Sequence, residues 1–477
     1  MNSEKNIFEQ SSISGALMQL ALPTILGQIV IVFYNMADTF FIGRTNNNVM
    51  ITAVTLCMPA FMFLSAIANL FGVGGSSVIS RALGKANTDR ASWTCAFSFW
   101  GCVLLTLVYS LGVFVFIDPF INFLGGSNPE VHILASQYLI WTVVIGGLAT
   151  SMNALLAHLV RSEGRAHQAS VGVILGGCLN IILDPLFMFI ILPEGQEVAG
   201  AAVATTISNA ASFLYFIIVI CNGKTKNSII SVKLTKHSFE WEIPQKVLSA
   251  GIPACTMTLA ENISYSILDN LLSAYGTAVQ AGIGIAKKIN MLTHSAVRGL
   301  TQGALPLLGY SYSAGMRKRT EKIAQITANY AVAIGFLCMA GMFIFSADLV
   351  SLFISRENPA LAYGSVFLRI LCIGAPFSAL AYSFISFFQA VGHGGTSFVL
   401  ALMRKGMLDI PLMFVMRYFL AEKGIVAATP IVDAICCLSS LVMFLSFKSK
   451  HLKKDKQRKI YNKETGKYEI MEGEVNL

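Results

Sequence analysis

Long apolar segments without a charged side chain constrain this sequence most strongly. Residues 91–117, 198–222 and 323–347 contain no Asp, Glu, Lys or Arg. A helix crosses a bilayer with about 20 apolar residues, and each of these segments is longer than that. Only 12% of the 477 residues are charged, against roughly 25% in soluble domains. The pattern predicts an all-α polytopic membrane protein and excludes a soluble enzyme and the short alternating strands of an outer-membrane barrel.

Hydrophobic patterning predicts about twelve spans in two six-helix bundles around a central cavity. The predicted helices cover residues 16–42, 50–80, 92–117, 133–159, 168–192, 198–221, 247–274, 279–312, 323–347, 364–391, 396–420 and 425–447. The predicted domains are an N-terminal segment, a first bundle, a linker, a second bundle and a basic tail, at residues 1–15, 16–221, 222–246, 247–447 and 448–477.

The distribution of basic residues predicts the topology. If both termini are cytoplasmic, 24 of the 34 Lys and Arg residues lie in cytoplasmic segments and 4 lie in outside loops. Such an excess on one side is the rule for cytoplasmic loops. We therefore expect a multi-pass protein of a prokaryotic-type inner membrane, in contact with membrane lipid. The positive charge is not a sign of nucleic-acid binding here.

An ordered series of matches indicates an internal duplication. Gly72 and Gly84 recur as Gly303 and Gly315, in each case 231 residues later. The run from Asp184 to Phe189 has a counterpart from Asp409 to Phe414, and Pro23 and Pro253 begin the first spans of the two halves. Parallel repeats of this kind are typical of secondary transporters, in which one half rocks against the other.

These residues resemble the multidrug and toxic compound extrusion (MATE) family over about residues 12–447. The resemblance is carried by residues 23–38, 72–84, 161–164, 251–253 with Glu261, 302–315 and, most specifically, the run Asn180-Ile-Ile-Leu-Asp184-Pro185. It implies a twelve-helix inner-membrane antiporter that exports organic cations or other amphipathic toxins in exchange for Na⁺ or H⁺. The tenth span, residues 371–392, lacks the Asp that one branch of the family carries.

Acidic residues inside the spans are the candidate coupling groups. An ionised carboxylate at membrane depth costs at least about 2.5 to 3.5 kcal/mol, so each one needs a partner or a proton. At 1.5 Å per helical residue, Asp38 and Asp184 lie about 22 and 24 Å along their helices, at one level. Asn180, one turn before Asp184, and Thr205 add oxygen ligands. We predict that these four residues carry H⁺ or, through Asp38, Asn180 and Asp184, a Na⁺ ion. Helix-to-helix hydrogen bonding alone is the alternative.

Glu261, a candidate substrate contact, lies nearer the middle of the membrane. Glu261 is about 12 Å from Pro253, and Tyr265 and Asp269 follow it at four-residue spacing on the same helix face. The predicted substrate contacts are Tyr34, Asn153, Glu261 and Tyr265. The alternative for Glu261 is a buried bridge to Lys287 or Lys288.

A difference between the halves is predicted at the two repeated Asp residues. Asp409 has Lys405 one turn before it, whereas Asp184 has Asn180 at that position. A lysine can neutralise a carboxylate permanently, but a neutral amide cannot. We therefore predict that the exchangeable ion binds in the first half and that Asp409 is structural.

The sequence favours a secondary active antiporter for cationic or amphipathic drugs and toxins. It contains no Gly-x-Ser-x-Gly, His-Glu-x-x-His or Gly-x-x-x-x-Gly-Lys-Ser/Thr motif, so we expect no enzyme activity and no cofactor other than the transported H⁺ or Na⁺. We also expect a monomer. Two alternatives remain: a flippase for a lipid-linked precursor, which would prefer a strongly cationic cavity, and a membrane-embedded enzyme such as an acyltransferase.

Overall fold

The computed structural model describes residues 7–9, 12–45, 47–126, 128–224, 228–452, 458–462 and 467–471. Parts of the predicted N-terminal segment, linker and tail therefore lie outside the described residues. The domain boundaries remain predictions.

The first half is helical from end to end, apart from short connections. Its helices are α1 (Ile13–Arg44), α2 (Asn48–Gly84), α3 (Thr88–Val115), α4 (Ile117–Leu124), α5 (Pro129–Leu139), α6 (Gly147–Ser162), α7 (Ala166–Leu186) and α8 (Glu197–Lys224). Widened π-helical turns follow α5 at Ile140–Ile145 and α7 at Phe187–Ile191. Asparagine side chains cap the N-termini of α2 and α3. The Asn47 side chain accepts hydrogen bonds from the backbone N–H groups of Val49 and Met50, and the Asn87 side chain accepts one from Arg90.

The second half repeats this order after a short 3₁₀ turn at Lys236–Phe239. Its helices are α9 (Glu242–Ser273), α10 (Thr277–Ser313), α11 (Arg317–Ile344), α12 (Ser346–Ser351), α13 (Ala360–Ile373), α14 (Ala375–Val391), α15 (Gly394–Leu402) and α16 (Asp409–His451), with a π-helical turn at Met403–Met407. Two short strands, β1 (Arg458–Asn462) and β2 (Lys467–Met471), pair antiparallel in the tail. This hairpin and the short helices α4 and α12 were not predicted from sequence.

The helices provide twelve spans in two bundles of six. Within the described residues, seven helical stretches are long and apolar enough to cross a membrane, and two bent pairs, α5–α6 and α13–α14, bring the number to nine. One of the seven, Gly394–His451, holds two spans because the backbone is not helical at Leu420 and Ala421. The remaining spans are α9 and α10, which contain more charged and polar residues than the other spans.

The bends also repeat between the halves. The pair α5–α6 bends by 48° and the pair α13–α14 by 45°, with Gly146 and Gly374 at the respective junctions. A β-carbon on Gly374 would lie 3.1 Å from the Cα atom of Pro430, so glycine allows a neighbouring helix to approach the bend. The matching bends support the duplication predicted from sequence.

The halves share an apolar core at one end only. We call this the basic end, because Arg81, Lys85, Arg90, Arg165 and Arg317 lie there. A shared cluster of buried residues joins Leu17, Leu20 and Ala21 of α1 to residues of α10, α11 and α14, among them Leu300, Ala304 and Phe387. Toward the other end, one cluster contains only first-half residues and another only second-half residues. The bundles are thus packed together at the basic end.

Close helix contacts and hydrogen bonds strengthen this closed end. A β-carbon on Gly303 would lie 2.6 Å from the Cα atom of Ala21, so α10 and α1 can approach only because the residue is glycine. Gln302 Oε1 accepts hydrogen bonds from Gln28 Nε2 at 3.3 Å and from Arg161 Nη1 at 3.4 Å. Ser77 donates to the carbonyl oxygen of Gln389 at 2.5 Å.

Candidate functional site

A buried polar cluster lies between α7 and α8, away from the basic end. Asn180 donates one N–H to Asp184 Oδ1 at 3.0 Å and the other to Thr205 Oγ1 at 3.2 Å. Asp184 is fully buried. The i,i+4 spacing on α7 places the amide above the carboxylate, and α8 supplies the threonine. The structure therefore brings together three of the four predicted coupling residues.

The fourth residue, Asp38, is on the neighbouring helix α1. The charge of its carboxylate interacts with that of Asp184. Both carboxylates also interact electrostatically with the hydroxyl groups of Tyr34 and Tyr138. Helices α1 and α7 pack closely because Gly177 leaves room for Val30: a β-carbon at Gly177 would lie 2.7 Å from Val30 Cγ1. The two acids thus lie on adjacent, closely packed helices.

Each of the two acids and the amide has an unpaired oxygen. Asp38 Oδ1, Asn180 Oδ1 and Asp184 Oδ2 are buried and have no hydrogen-bond partner in the described part of the chain. An unpaired buried oxygen costs about 1 to 3 kcal/mol. Hard oxygen atoms are the ligands that small cations such as Na⁺ prefer, and a carboxylate can alternatively take a proton. The described residues hold no group of three or more His, Cys, Asp or Glu side chains that could bind a metal ion.

The helix that carries Asp184 is not uniform beyond it. Pro185 lies inside α7 and has no N–H to give to the preceding turn, and the widened turn Phe187–Ile191 follows. The neighbouring helix fits closely, since a β-carbon on Gly200 would lie 2.8 Å from the carbonyl oxygen of Phe187. The irregular backbone therefore lies one turn from the acidic pair.

The corresponding position of the second half is already neutralised. Lys405 donates to Asp409 Oδ2 at 3.2 Å, which confirms the predicted i,i+4 pair. Ser264 donates to the same oxygen at 2.6 Å and Thr429 to Oδ1 at 3.1 Å. The adjacent Arg404 pairs with Asp433 at 2.7 Å. Asp409 is therefore held by three donors.

Glu261 has a different partner from the two lysines considered from sequence. Its Oε2 is 2.8 Å from Arg298 Nη2, and Tyr382 donates to its Oε1 at 3.3 Å. Lys287 instead pairs with Asp269, so the bridge from Glu261 to Lys287 or Lys288 was wrong. Arg298 lies 37 residues away on another helix, and no sequence spacing singled it out. Glu261 is 9% exposed and is paired rather than free.

The other predicted substrate contacts are also engaged or covered. Asn153 donates to Asn209 at 3.0 Å and accepts from Ser212 at 2.7 Å, which links α6 to α8. Two ammonium groups lie over the Tyr265 ring. Lys287 Nζ is 5.4 Å and Lys405 Nζ is 5.1 Å from the ring centroid. Their roles in substrate binding remain predictions.

One charged neighbour of the coupling cluster was missed. Lys288 of α10, in the second half, interacts electrostatically with Asp38. From sequence, Lys288 was considered only as an alternative partner of Glu261. The sequence had no signal for the contact between α10 and α1.

Twelve spans in two repeated bundles around buried carboxylates define a polytopic membrane transporter. Comparisons with known proteins agree. A profile of the MatE family matches residues 23–186 and 253–415, one segment in each half. The chain belongs to this family of multidrug efflux transporters, whose members are not enzymes. The family predicted from sequence is confirmed.

Similar proteins include curated relatives and solved structures. The multidrug export protein MepA of Staphylococcus aureus strain NCTC 8325 is 28% identical over 437 residues, which cover 91% of this chain and 94% of MepA. A multidrug resistance MATE transporter in an outward-facing conformation aligns with a TM-score of 0.87 at 22% identity, over 95% of this chain and 99% of that chain. A MOP superfamily transporter from Pyrococcus furiosus aligns with a TM-score of 0.83 at 23% identity, over 93% of this chain and 98% of that chain. These structures support the fold.

Proposed function

We propose that this chain is a secondary antiporter that exports cationic or amphipathic drugs in exchange for H⁺ or Na⁺. The observation that carries the proposal is the trio of unpaired buried oxygens on Asp38, Asn180 and Asp184. These oxygens would coordinate a bound Na⁺ ion, and a proton would neutralise one of the carboxylates. MepA, which is similar along most of its length, is a multidrug export protein, and this supports the substrate class.

Coupling follows from the placement of the cluster. A cation that binds between Asp38 and Asp184 draws α1 toward α7, and the irregular turn beyond Pro185 can absorb the movement. Substrate held between the bundles is then released as the first bundle changes shape. Binding at this cluster biases the transporter between two packings of the same halves, which is the general logic of ion-coupled transport.

The direction of export rests on the topology. We assign the basic end to the cytoplasm of a prokaryotic-type inner membrane, because basic residues concentrate on that side. The halves are packed together there, so the conformation is closed to the cytoplasm and corresponds to an outward-facing state. One chain holds both halves and the whole coupling cluster, and the transporter acts as a monomer in contact with lipid.

The paired state of the cations in the spans argues against the flippase alternative. Four of the six basic residues in the spans, Lys287, Arg298, Arg404 and Lys405, each have a carboxylate partner. Of the other two, Arg369 donates to the Ser346 hydroxyl at 2.7 Å, and Lys288 interacts electrostatically with Asp38. A cavity for a multiply phosphorylated lipid precursor would need several free cations. Pairing leaves an interior better suited to cationic or neutral substrates.

The test uses purified protein in proteoliposomes loaded with a cationic dye. A pH gradient and a Na⁺ gradient are imposed separately, and the initial rate of dye movement is measured for the wild type and for Asp184→Asn. We expect one gradient to drive transport and Asp184→Asn to abolish that coupled transport. Asp118→Asn is the matched control, because the Asp118 side chain is 71% exposed. Wild-type rates that no gradient changes would refute the proposal.

A further inference from the structure

A cavity of about 610 Å³ lies at the basic end, between the two halves. The first half contributes residues of α2 and α3 and the turn between them, and the second half contributes the end of α10 and the start of α11. The charged lining residues are Arg81, Lys85, Arg90, Lys246 and Arg317, and the polar ones are Asn87, Tyr312 and Ser313. This cavity lies at the opposite end of the first bundle from the coupling cluster.

The lining of this cavity carries five cations and few compensating charges. Glu242, at the start of α9, forms an ion pair with Arg90, whose Nη2 atom is 2.8 Å from Glu242 Oε1, and accepts a hydrogen bond from Lys246. These two cations lower the pKa of Glu242 to about 2. Burial and the charges of Lys246, Arg90 and Arg81 lower the pKa of Lys85. The cations therefore repel one another in a partly enclosed space.

Two of the three guanidinium nitrogens of Arg317 have no hydrogen-bond partner in the described part of the chain. These are the buried Nε and Nη1 atoms, while the guanidinium stacks on the Tyr312 ring at 3.9 Å. The stacking fixes a planar fork of donors, which suits the oxygens of a phosphate group.

Arg81 is held in place by both halves. Its Nε donates to the Ser77 carbonyl oxygen at 3.0 Å, and its guanidinium packs against Gly392 at the end of α14. Gly392 has a φ of 84°, and a β-carbon there would collide with Arg81. Only glycine fits this position, so α14 presents no side chain to displace the guanidinium.

We propose that this cavity binds a phosphate-bearing anion, and that the bound anion holds the two halves together at the basic end. The phosphate oxygens accept from Arg317 of the second half and from Lys85 of the first half. One anion thus bridges the halves and relieves the repulsion among the cations. The cavity is larger than a single phosphate group and accommodates a phosphorylated headgroup or metabolite.

The test uses the full chain in nanodiscs of phosphatidylcholine. Inorganic phosphate is titrated at constant ionic strength against chloride, and the unfolding midpoint gives an apparent Kd. We expect phosphate to raise the midpoint of the wild type. The double variant Lys85→Gln, Arg317→Gln should weaken the apparent Kd by about tenfold or more, as expected for the loss of charge-assisted hydrogen bonds. Lys233→Gln, which removes an exposed linker lysine, should leave it unchanged.

A third variant changes binding in the opposite direction. Glu242→Gln frees Arg90 and Lys246 from their carboxylate partner and should tighten phosphate binding. A purely structural role of the cluster would not produce tighter binding. Equal apparent Kd values for the wild type, the double variant and Glu242→Gln would overturn the proposal, as would a stabilisation by chloride equal to that by phosphate.

Two arms identify the source of the phosphate group. In the first, glycerol 3-phosphate is titrated in phosphatidylcholine nanodiscs. In the second, phosphatidylglycerol replaces a quarter of the lipid without any soluble phosphate. Stabilisation that depends on Lys85 and Arg317 in either arm supports the site, and the arm in which it occurs names the source. No stabilisation of the wild type in either arm would contradict it.

Discussion

Replacing Asp409 by Asn should destabilise the protein without removing its ion dependence. Asp409 and Lys405 are buried, at 0% and 1% exposed, and the carboxylate is the ion-pair partner of Lys405. An amide in its place keeps one acceptor oxygen for Ser264 or Thr429 but leaves the ammonium group without a counter-charge. Leaving one ion of a buried pair uncompensated costs about 3 to 5 kcal/mol.

The assay is thermal unfolding of the purified variant in detergent, scored against two comparison variants. Asp348→Asn breaks the exposed pair with Arg356, where both side chains are more than half exposed, and should cost only about 0 to 1 kcal/mol. Adding Lys405→Met to Asp409→Asn removes both buried charges. This double variant should regain most of the lost stability, because well-packed apolar replacements of a buried ion pair are often neutral.

Two results would refute this reasoning. The first is an Asp409→Asn variant as stable as Asp348→Asn, because Lys405 would then have another partner. The second is a double variant no more stable than Asp409→Asn alone, because the loss would then come from the hydrogen bonds to Ser264 and Thr429 and not from the stranded ammonium group.

Further outcomes follow from the same contacts. Asp38→Asn should lower coupled dye efflux as strongly as the Asp184 variant, and full activity would leave that residue without a coupling role. Glu261→Gln should reduce transport of cationic and neutral substrates equally, because it strands Arg298; a loss confined to cationic substrates would indicate direct contact. Glu163 Oε1 accepts two linker N–H groups at 2.6 and 2.9 Å, and Glu163→Gln should speed amide exchange there by about tenfold; unchanged exchange would argue against this anchor. Stability that depends on the Glu242 carboxylate is complete above its ordinary pKa of 4.5 and is lost as pH falls toward 2; Glu242→Gln should flatten the melting curve against pH in that window.

The helices and the first-half cluster follow from local signals in the sequence. Charge-free segments are long enough to span, and the four-residue spacing of Asn180 and Asp184 gives the hydrogen bond observed at 3.0 Å. The pair of Lys405 with Asp409 has the same spacing and was also predicted. Each of these contacts joins residues four positions apart in the sequence, so it can be predicted from local spacing. The second pair forms even though Lys405 lies in the π-helical turn and Asp409 begins α16.

Contacts between helices were harder to predict. A helix that is apolar all round does not reveal which face meets which neighbour, so the Arg298 partner of Glu261 and the Lys288 neighbour of Asp38 could not be assigned. The short helix α4, at Ile117–Leu124, directly follows a span and reads as its continuation. The widened turn after Pro185 packs against Gly200 of the next helix. This contact between two helices has no signal in the local sequence pattern.

We propose that the exchangeable ion binds at Asp38 and Asp184 in the first half. The most direct measurement is dye efflux as a function of the driving-ion concentration, for Asp184→Asn and Asp409→Asn in matched proteoliposomes. We predict that efflux by Asp184→Asn does not respond to the ion, whereas Asp409→Asn keeps the half-saturating concentration of the wild type. Loss of ion dependence in Asp409→Asn, with Asp184→Asn unaffected, would contradict the account and place the coupling site in the second half.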